Sequence, residues 1–145
     1  MRIMGLDWGE KRVGIALSDP LGWTAQGLAV IDNKGSAKAL LNTIKEYAQK
    51  YDVELVVVGF PRNMNGSPGP QAEKIKAFAG RLSGAIGLPI ELWDERLTTS
   101  AAEKLLIEAD LSRARRRQVV DKMAAVLILQ GYLDFLNRKK DLRDE

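Results

Sequence analysis

Two strand-like runs open the chain, Ile3 to Trp8 and Val13 to Ser18, and only the polar turn Gly9-Glu10-Lys11-Arg12 separates them. So short a connection forces an antiparallel hairpin. Asp7 stands inside the first run among apolar neighbours. An ionised acid in a strand interior costs several kcal/mol unless something pairs with it. Strand alternation puts Ile3, Gly5 and Asp7 on one face. Asp7 is therefore either a cation ligand or the partner of a nearby Lys or Arg, and residue type alone leaves both open.

Beyond the hairpin, strand and helix signals alternate. Trp23 to Ile31 reads as a third strand, and Asp32-Asn33-Lys34-Gly35 as a turn. Ser36 caps a helix with Leu40, Leu41, Ile44, Ala48 and Tyr51 at helical spacing. Val53 to Gly59 reads as a buried strand, parallel because a helix precedes it. A polar loop leads to a second helix carrying Ala72, Ile75, Phe78, Ala79, Leu82 and Ile86. Gly87 closes that helix, and Pro89 leads into the strand Ile90 to Trp93. Ser100 and Glu103 fit a capping box for a short helix to about Glu108. Ser112 opens a last helix through Leu136, apolar nearly all round from Val119 to Leu133 and so expected to be well buried. The fold class is α/β, a mixed sheet in which a meander joins βαβ crossovers. Residues 1–137 make one domain, and 138–145 a charged, frayed tail.

The 145 residues include no Cys and no His. That removes disulfides, thiol nucleophiles, Ser-His-Asp machinery and His-ligated or Cys-ligated metals. Enzymatic chemistry would rest on Asp, Glu, Lys, Arg, Ser, Thr or Tyr. Oxygen donors suit hard cations such as Mg²⁺ or Mn²⁺. Lys and Arg number 22 against 19 acids, an excess that permits a polyanionic partner. No apolar run reaches the roughly 18 residues needed to span a bilayer. No signal-peptide core precedes the first strand, so a cytoplasmic protein without membrane contact is expected.

Two further acids stand out. Glu95 lies just past a strand end, the edge where open α/β sheets bind ligands, although turn and capping chemistry also explains Asp94-Glu95-Arg96. On the last helix Asp121 has Ala124, Ala125, Ile128 and Tyr132 as its nearest neighbours, a small apolar face open to close approach. An Arg117–Asp121 pair one turn apart is the alternative. If Asp7, Glu95 and Asp121 meet, they form an oxygen-only site for one or two divalent ions, and two ions about 4 Å apart suit phosphodiester cleavage. Arg113, Arg115, Arg116 and Arg117 oppose the helix macrodipole near its N-terminus, by roughly 0.3–1 kcal/mol per exposed charge, and a phosphate backbone would offset that. Lys11, Arg12 and Arg96 extend the same candidate nucleic-acid surface.

Four stretches in order resemble the YqgF/RuvX family of the RuvC-like branch in the ribonuclease H-like superfamily. They are Gly5 to Ala16, Val58 to Pro61 with Met64 to Ser67, Asp94 to Thr99, and Asp121 to Gln130. The resemblance implies a five-stranded mixed sheet flanked by helices and a metal-dependent nuclease using Asp7, Glu95 and Asp121. It also implies one of two substrates, the 5′ end of precursor 16S ribosomal RNA or a Holliday junction. Junction resolvases of the RuvC type usually carry a second acid three residues after the helix Asp, where this chain has Ala124. They also carry a carboxylate after the fourth strand, where this chain has Phe60-Pro61-Arg62-Asn63. Both departures rank precursor RNA ahead of branched DNA. The chain is expected to act as a monomer or weak homodimer. A lone phosphate loop of the actin-like ATPase kind, and a nucleic-acid-binding module without catalysis, are the other readings.

Overall fold

The computed structural model describes residues 1–60, 69, 71–94 and 113–144, with the backbone alone for 113–121 and 141–144. Five strands, β1 (Arg2–Trp8), β2 (Arg12–Ser18), β3 (Ala25–Asp32), β4 (Val53–Phe60) and β5 (Ile90–Asp94), form one sheet in the order β3-β2-β1-β4-β5. The first three run as an antiparallel meander. β4 and β5 lie parallel to β1 and to each other, as the intervening helices require. The helices are α1 (Ala37–Lys50), α2 (Ala72–Ile86) and α3 (Arg113–Asp144). None of the described helices is long and apolar enough to cross a membrane.

Strand alternation divides the core in two. Met4, Leu6, Val13 and Ile15 point to the α1/α2 side, where they meet Leu40, Ile44, Ile75, Phe78 and Leu82. Ile3, Ala16 and Val57 point to the other side, where Ala125, Ile128, Leu129, Tyr132 and Leu133 of α3 cover them. Local signals set the helix ends. The Ser36 hydroxyl accepts from the Ala39 amide at 3.0 Å, and Gly87 closes α2 in the left-handed conformation at φ 68°.

Three expectations need correction. The third strand begins at Ala25, not Trp23, because the Asp19 carboxylate accepts the amides of Leu21, Trp23 and Thr24 and folds that stretch into a loop. The last helix runs to Asp144, eight residues past Leu136, so the segment expected to fray is helical. Neither Gly nor Pro follows Gly131, and the Lys139 ammonium lies 4.9 Å from the centre of the Phe135 ring one turn back. Finally, α3 is buried along the stripe against the sheet, whereas Met123, Val126 and Leu127 are half-buried and Lys122 is exposed. The Ser100–Glu103 box and its short helix lie outside the described residues.

The edge strand β5 is fixed to α3 through aromatic contact. The Trp93 and Tyr132 rings meet edge-to-face at 5.5 Å and 86°. Burial, reinforced by a hydrogen bond to Glu91, pushes the Tyr132 phenol above its ordinary pKa, so it stays protonated.

Candidate active site

Asp7 is the next-to-last residue of β1, half-buried, and paired in register with Gly14 of β2, which carries no side chain. Ile3 and Gly5, on the same face, lie beneath α3. The Ala125 carbonyl and the Leu129 side chain sit directly over Gly5. Asp7 therefore faces the α3 side at the C-terminal end of β1. That the sequence places it so follows from strict alternation: moving the register by one residue would turn Ile3, Gly5 and Asp7 together toward the α1/α2 side.

The two elements run antiparallel. Going back along α3, Asn137 contacts Gly22 before β3 begins, Gln130 contacts Ala25, and Lys122 lies across Gly27. From Ala125 to position 121 is about 6 Å of helix, and from Gly5 to Asp7 about 6.6 Å of strand. Both steps lead to the same sheet edge. The α3 backbone at 121 thus reaches the end of the sheet that holds Asp7, and positions 113–117 continue beyond it. The parallel strands β4 and β5 end on that edge too, with Phe60 in register with Asp94.

The β1–β2 turn completes the edge. Lys11 is exposed in it, and Arg12, half-buried, opens β2. Asn33 fixes the turn in two places. Its side-chain amide donates to the Gly9 carbonyl at 2.7 Å, and its backbone amide donates to the Lys11 carbonyl at 2.8 Å. Glu10 pairs with Lys74 of α2, whose hydrogen bond and charge hold the Glu10 carboxyl below its usual pKa. Neither Asn33 nor Lys74 stood out in the sequence. Asn33 lies in a stretch already explained as a turn, and Lys74 on a helix face that looks solvated.

Of the expected site residues, Asp7, Lys11 and Arg12 share this edge. The backbone positions of Asp121, Arg113, Arg115, Arg116 and Arg117 belong to α3, but their side chains lie outside the described residues, as do Glu95 and Arg96 entirely. Among the described residues no group of three acids gathers to hold a metal. Ala124 is fully buried against the sheet; of the segment Phe60-Pro61-Arg62-Asn63, Phe60 is buried at the end of β4 and the other three lie outside the described residues. Among the described donors at the edge, the Asp7 carboxylate is of the hard oxygen type that Mg²⁺ and Mn²⁺ take.

Residues 1–135 match the profile of a family described as "RuvX: Holliday junction resolvase". A Pelotomaculum thermopropionicum protein is 66% identical over 97% of this chain and 91% of its own length, and its name is "Putative pre-16S rRNA nuclease". A Moorella thermoacetica protein with the same name is 62% identical over 95% of this chain and 98% of its own. Among solved structures, that of "T. thermophilus RuvC in complex with Holliday junction substrate" is similar at a TM-score of 0.58. It has 15% identity and covers 94% of this chain and 96% of that one, which shows a shared fold.

Proposed function

The chain belongs to the RuvX family, and on that premise we propose that it is a metal-dependent phosphodiester hydrolase that processes the 5′ end of precursor 16S ribosomal RNA. The observation that carries this reading is the position of Asp7, a half-buried carboxylate at the ligand-binding edge of the sheet, beside a strand position with no side chain. In this reading Asp7, Glu95 and Asp121 hold one or two Mg²⁺ or Mn²⁺ ions. Bound there, the metal supplies Lewis-acid polarisation and a nucleophile competent at neutral pH. The chain's own part is to present carboxylates from three separate segments and to grip the substrate backbone. Lys11 and Arg12 on the Asn33-braced turn, with Arg96, Arg113, Arg115, Arg116 and Arg117, hold the phosphate backbone. The protein works in the cytoplasm as a monomer or weak homodimer.

Junction resolution is the second reading, favoured by the family's description. Against it stand Ala124 and the acid-free segment Phe60-Pro61-Arg62-Asn63, where junction resolvases of the RuvC type usually carry acids. The likeness to the junction-bound RuvC, at its low identity, speaks for the fold alone. The deciding experiment offers precursor 16S RNA and a four-way DNA junction to wild type and Asp7→Asn, with Mg²⁺ and with Mn²⁺. Wild type should cut the RNA and the variant should cut neither. Preferential junction cleavage by a stable dimer would overturn the assignment, since resolution needs two symmetric cuts.

A further inference from the structure

Asp7 faces α3, and the next residue, Trp8, turns to the opposite face of the sheet. Its indole packs against the α1/α2 core with the Phe78 ring 6.1 Å away, centre to centre. Around Trp8 the two helices part to leave an open cavity of about 280 Å³. Leu40 and Leu41 form its α1 wall. The α2 wall is the stripe Lys74, Ala77, Phe78 and Arg81, at spacings i, i+3, i+4 and i+7. A stripe that faces a neighbouring helix is ordinarily apolar throughout. Here its two ends are exposed cations, so the cavity has an aromatic floor, aliphatic walls and a positive rim.

That combination is complementary to a flat aromatic group carrying an anion. We propose that the cavity is a subsite for one unpaired nucleotide of the RNA, its base against Trp8 and its phosphate between Lys74 and Arg81. The proposal rests on the nuclease reading and extends it to how substrate is chosen. At about 280 Å³ the cavity has room for a single base. A base inside a duplex keeps its faces stacked, whereas an unpaired base offers one to an aromatic side chain. Lys74 already meets Glu10, but the pair is exposed, and exposed pairs are worth little, so a phosphate can take the place of Glu10. Asn33 lines the cavity while holding the Gly9 carbonyl, so Trp8 enters a turn already fixed before substrate arrives. Because Asp7 and Trp8 are consecutive, a strand that passes over the sheet edge meets both. The subsite therefore selects substrates with an unpaired flank beside the cleaved bond.

The test uses a protein in which Trp23 and Trp93 are replaced by Phe, leaving Trp8 as the sole tryptophan. It is titrated with a short single-stranded oligouridylate in EDTA, and binding is followed independently by anisotropy. Trp8 emission should be quenched in step with binding. Trp8→Leu should weaken binding about 5- to 100-fold. If that variant fails to fold, exposed Arg81→Ala decides alone, and it should lower the salt-dependence slope by about 0.7. Unchanged Trp8 emission at saturation, an unchanged slope in Arg81→Ala, or equal quenching by a blunt RNA duplex would overturn the subsite. Cleavage is read separately, in Mg²⁺ and Mn²⁺. Quenching without any cleavage by wild type leaves the subsite standing and removes the nuclease reading, and cleavage without quenching does the reverse.

Discussion

Gly5 and Leu129 set the distance between β1 and α3. A Cβ built on Gly5 would lie 2.7 Å from the Leu129 Cβ and 3.2 Å from the Ala125 carbonyl oxygen. The helix rests on strand backbone at this point, and neither neighbour is a flexible side-chain end that can swing away. Gly5→Ala should force α3 off the sheet and cost about 1–3 kcal/mol, as other overpacked cores do. Urea unfolding measures this through a lowered midpoint with an unchanged slope. Because α3 carries position 121 about one turn beyond the contact, RNA cleavage by the folded fraction should fall as well. Cleavage at the wild-type rate by folded Gly5→Ala would separate this contact from the site.

Asp7→Asn keeps the shape of the side chain and removes its charge. Under the proposed function it should lower RNA cleavage by on the order of a hundredfold or more, each tenfold corresponding to about 1.4 kcal/mol of lost transition-state stabilisation. Calorimetric titration should show weakened binding of Mn²⁺. Urea stability should hold or rise, since acids placed for chemistry are commonly kept at the expense of stability. Loss of folding in parallel with loss of cleavage would mark Asp7 as a structural acid.

How far the sequence is legible depends on how local the determining contact is. Alternation along Ile3, Gly5 and Asp7 assigns all three to one face, and the structure has Ile3 and Gly5 beneath α3, with Leu6 and Trp8, the neighbours of Asp7, on the opposite face. The caps Ser36 and Gly87 act within a few residues and are read correctly. The start of β3 is not, because apolar Trp23 resembles a strand residue until Asp19 is seen taking its amide and Gln130 taking that of Ala25, 105 residues away in the chain. That the sheet is mixed and five-stranded follows from the resemblance, whereas its strand order and the α3-over-Gly5 contact that orients Asp7 need the folded chain. Asn33 is the plainest omission at the candidate site. A turn accounts for its residue type, and nothing local reports that its side chain braces Gly9.

Ser18 is nearly inaccessible, and its hydroxyl joins two strands outside the backbone ladder. It accepts from the Ile3 amide at 2.8 Å and donates to the Asp19 carbonyl at 3.0 Å. Ser18→Ala would leave a buried amide without its acceptor, a loss of about 1–3 kcal/mol. The variant should unfold at lower urea, and the Ile3 amide should exchange faster with deuterium. Ser18→Thr retains the hydroxyl and should recover part of the loss if the added methyl is accommodated.

The loop from Asp19 to Thr24 gives stability a defined acid dependence. The Asp19 carboxylate accepts from Thr24 at 2.8 Å, Trp23 at 2.7 Å and Leu21 at 3.2 Å, and these amides hold its pKa below the usual Asp value, Thr24 foremost. A carboxyl with a lower pKa folded than unfolded binds more protons in the unfolded chain. Its stabilising contribution is therefore complete above the unfolded value of about 3.9 and is lost as pH falls through the lower folded value. Asp19→Ala should be less stable than wild type at neutral pH by an amount that stays constant down to about pH 5. The difference should then shrink as the solution is acidified below about pH 4. Exposed Trp23 lies in this loop and provides a local signal, so its fluorescence should shift in the same acid window before global unfolding. A gap between wild type and Asp19→Ala that stays constant down to about pH 2 would show that the three amides do not depend on the charge of Asp19.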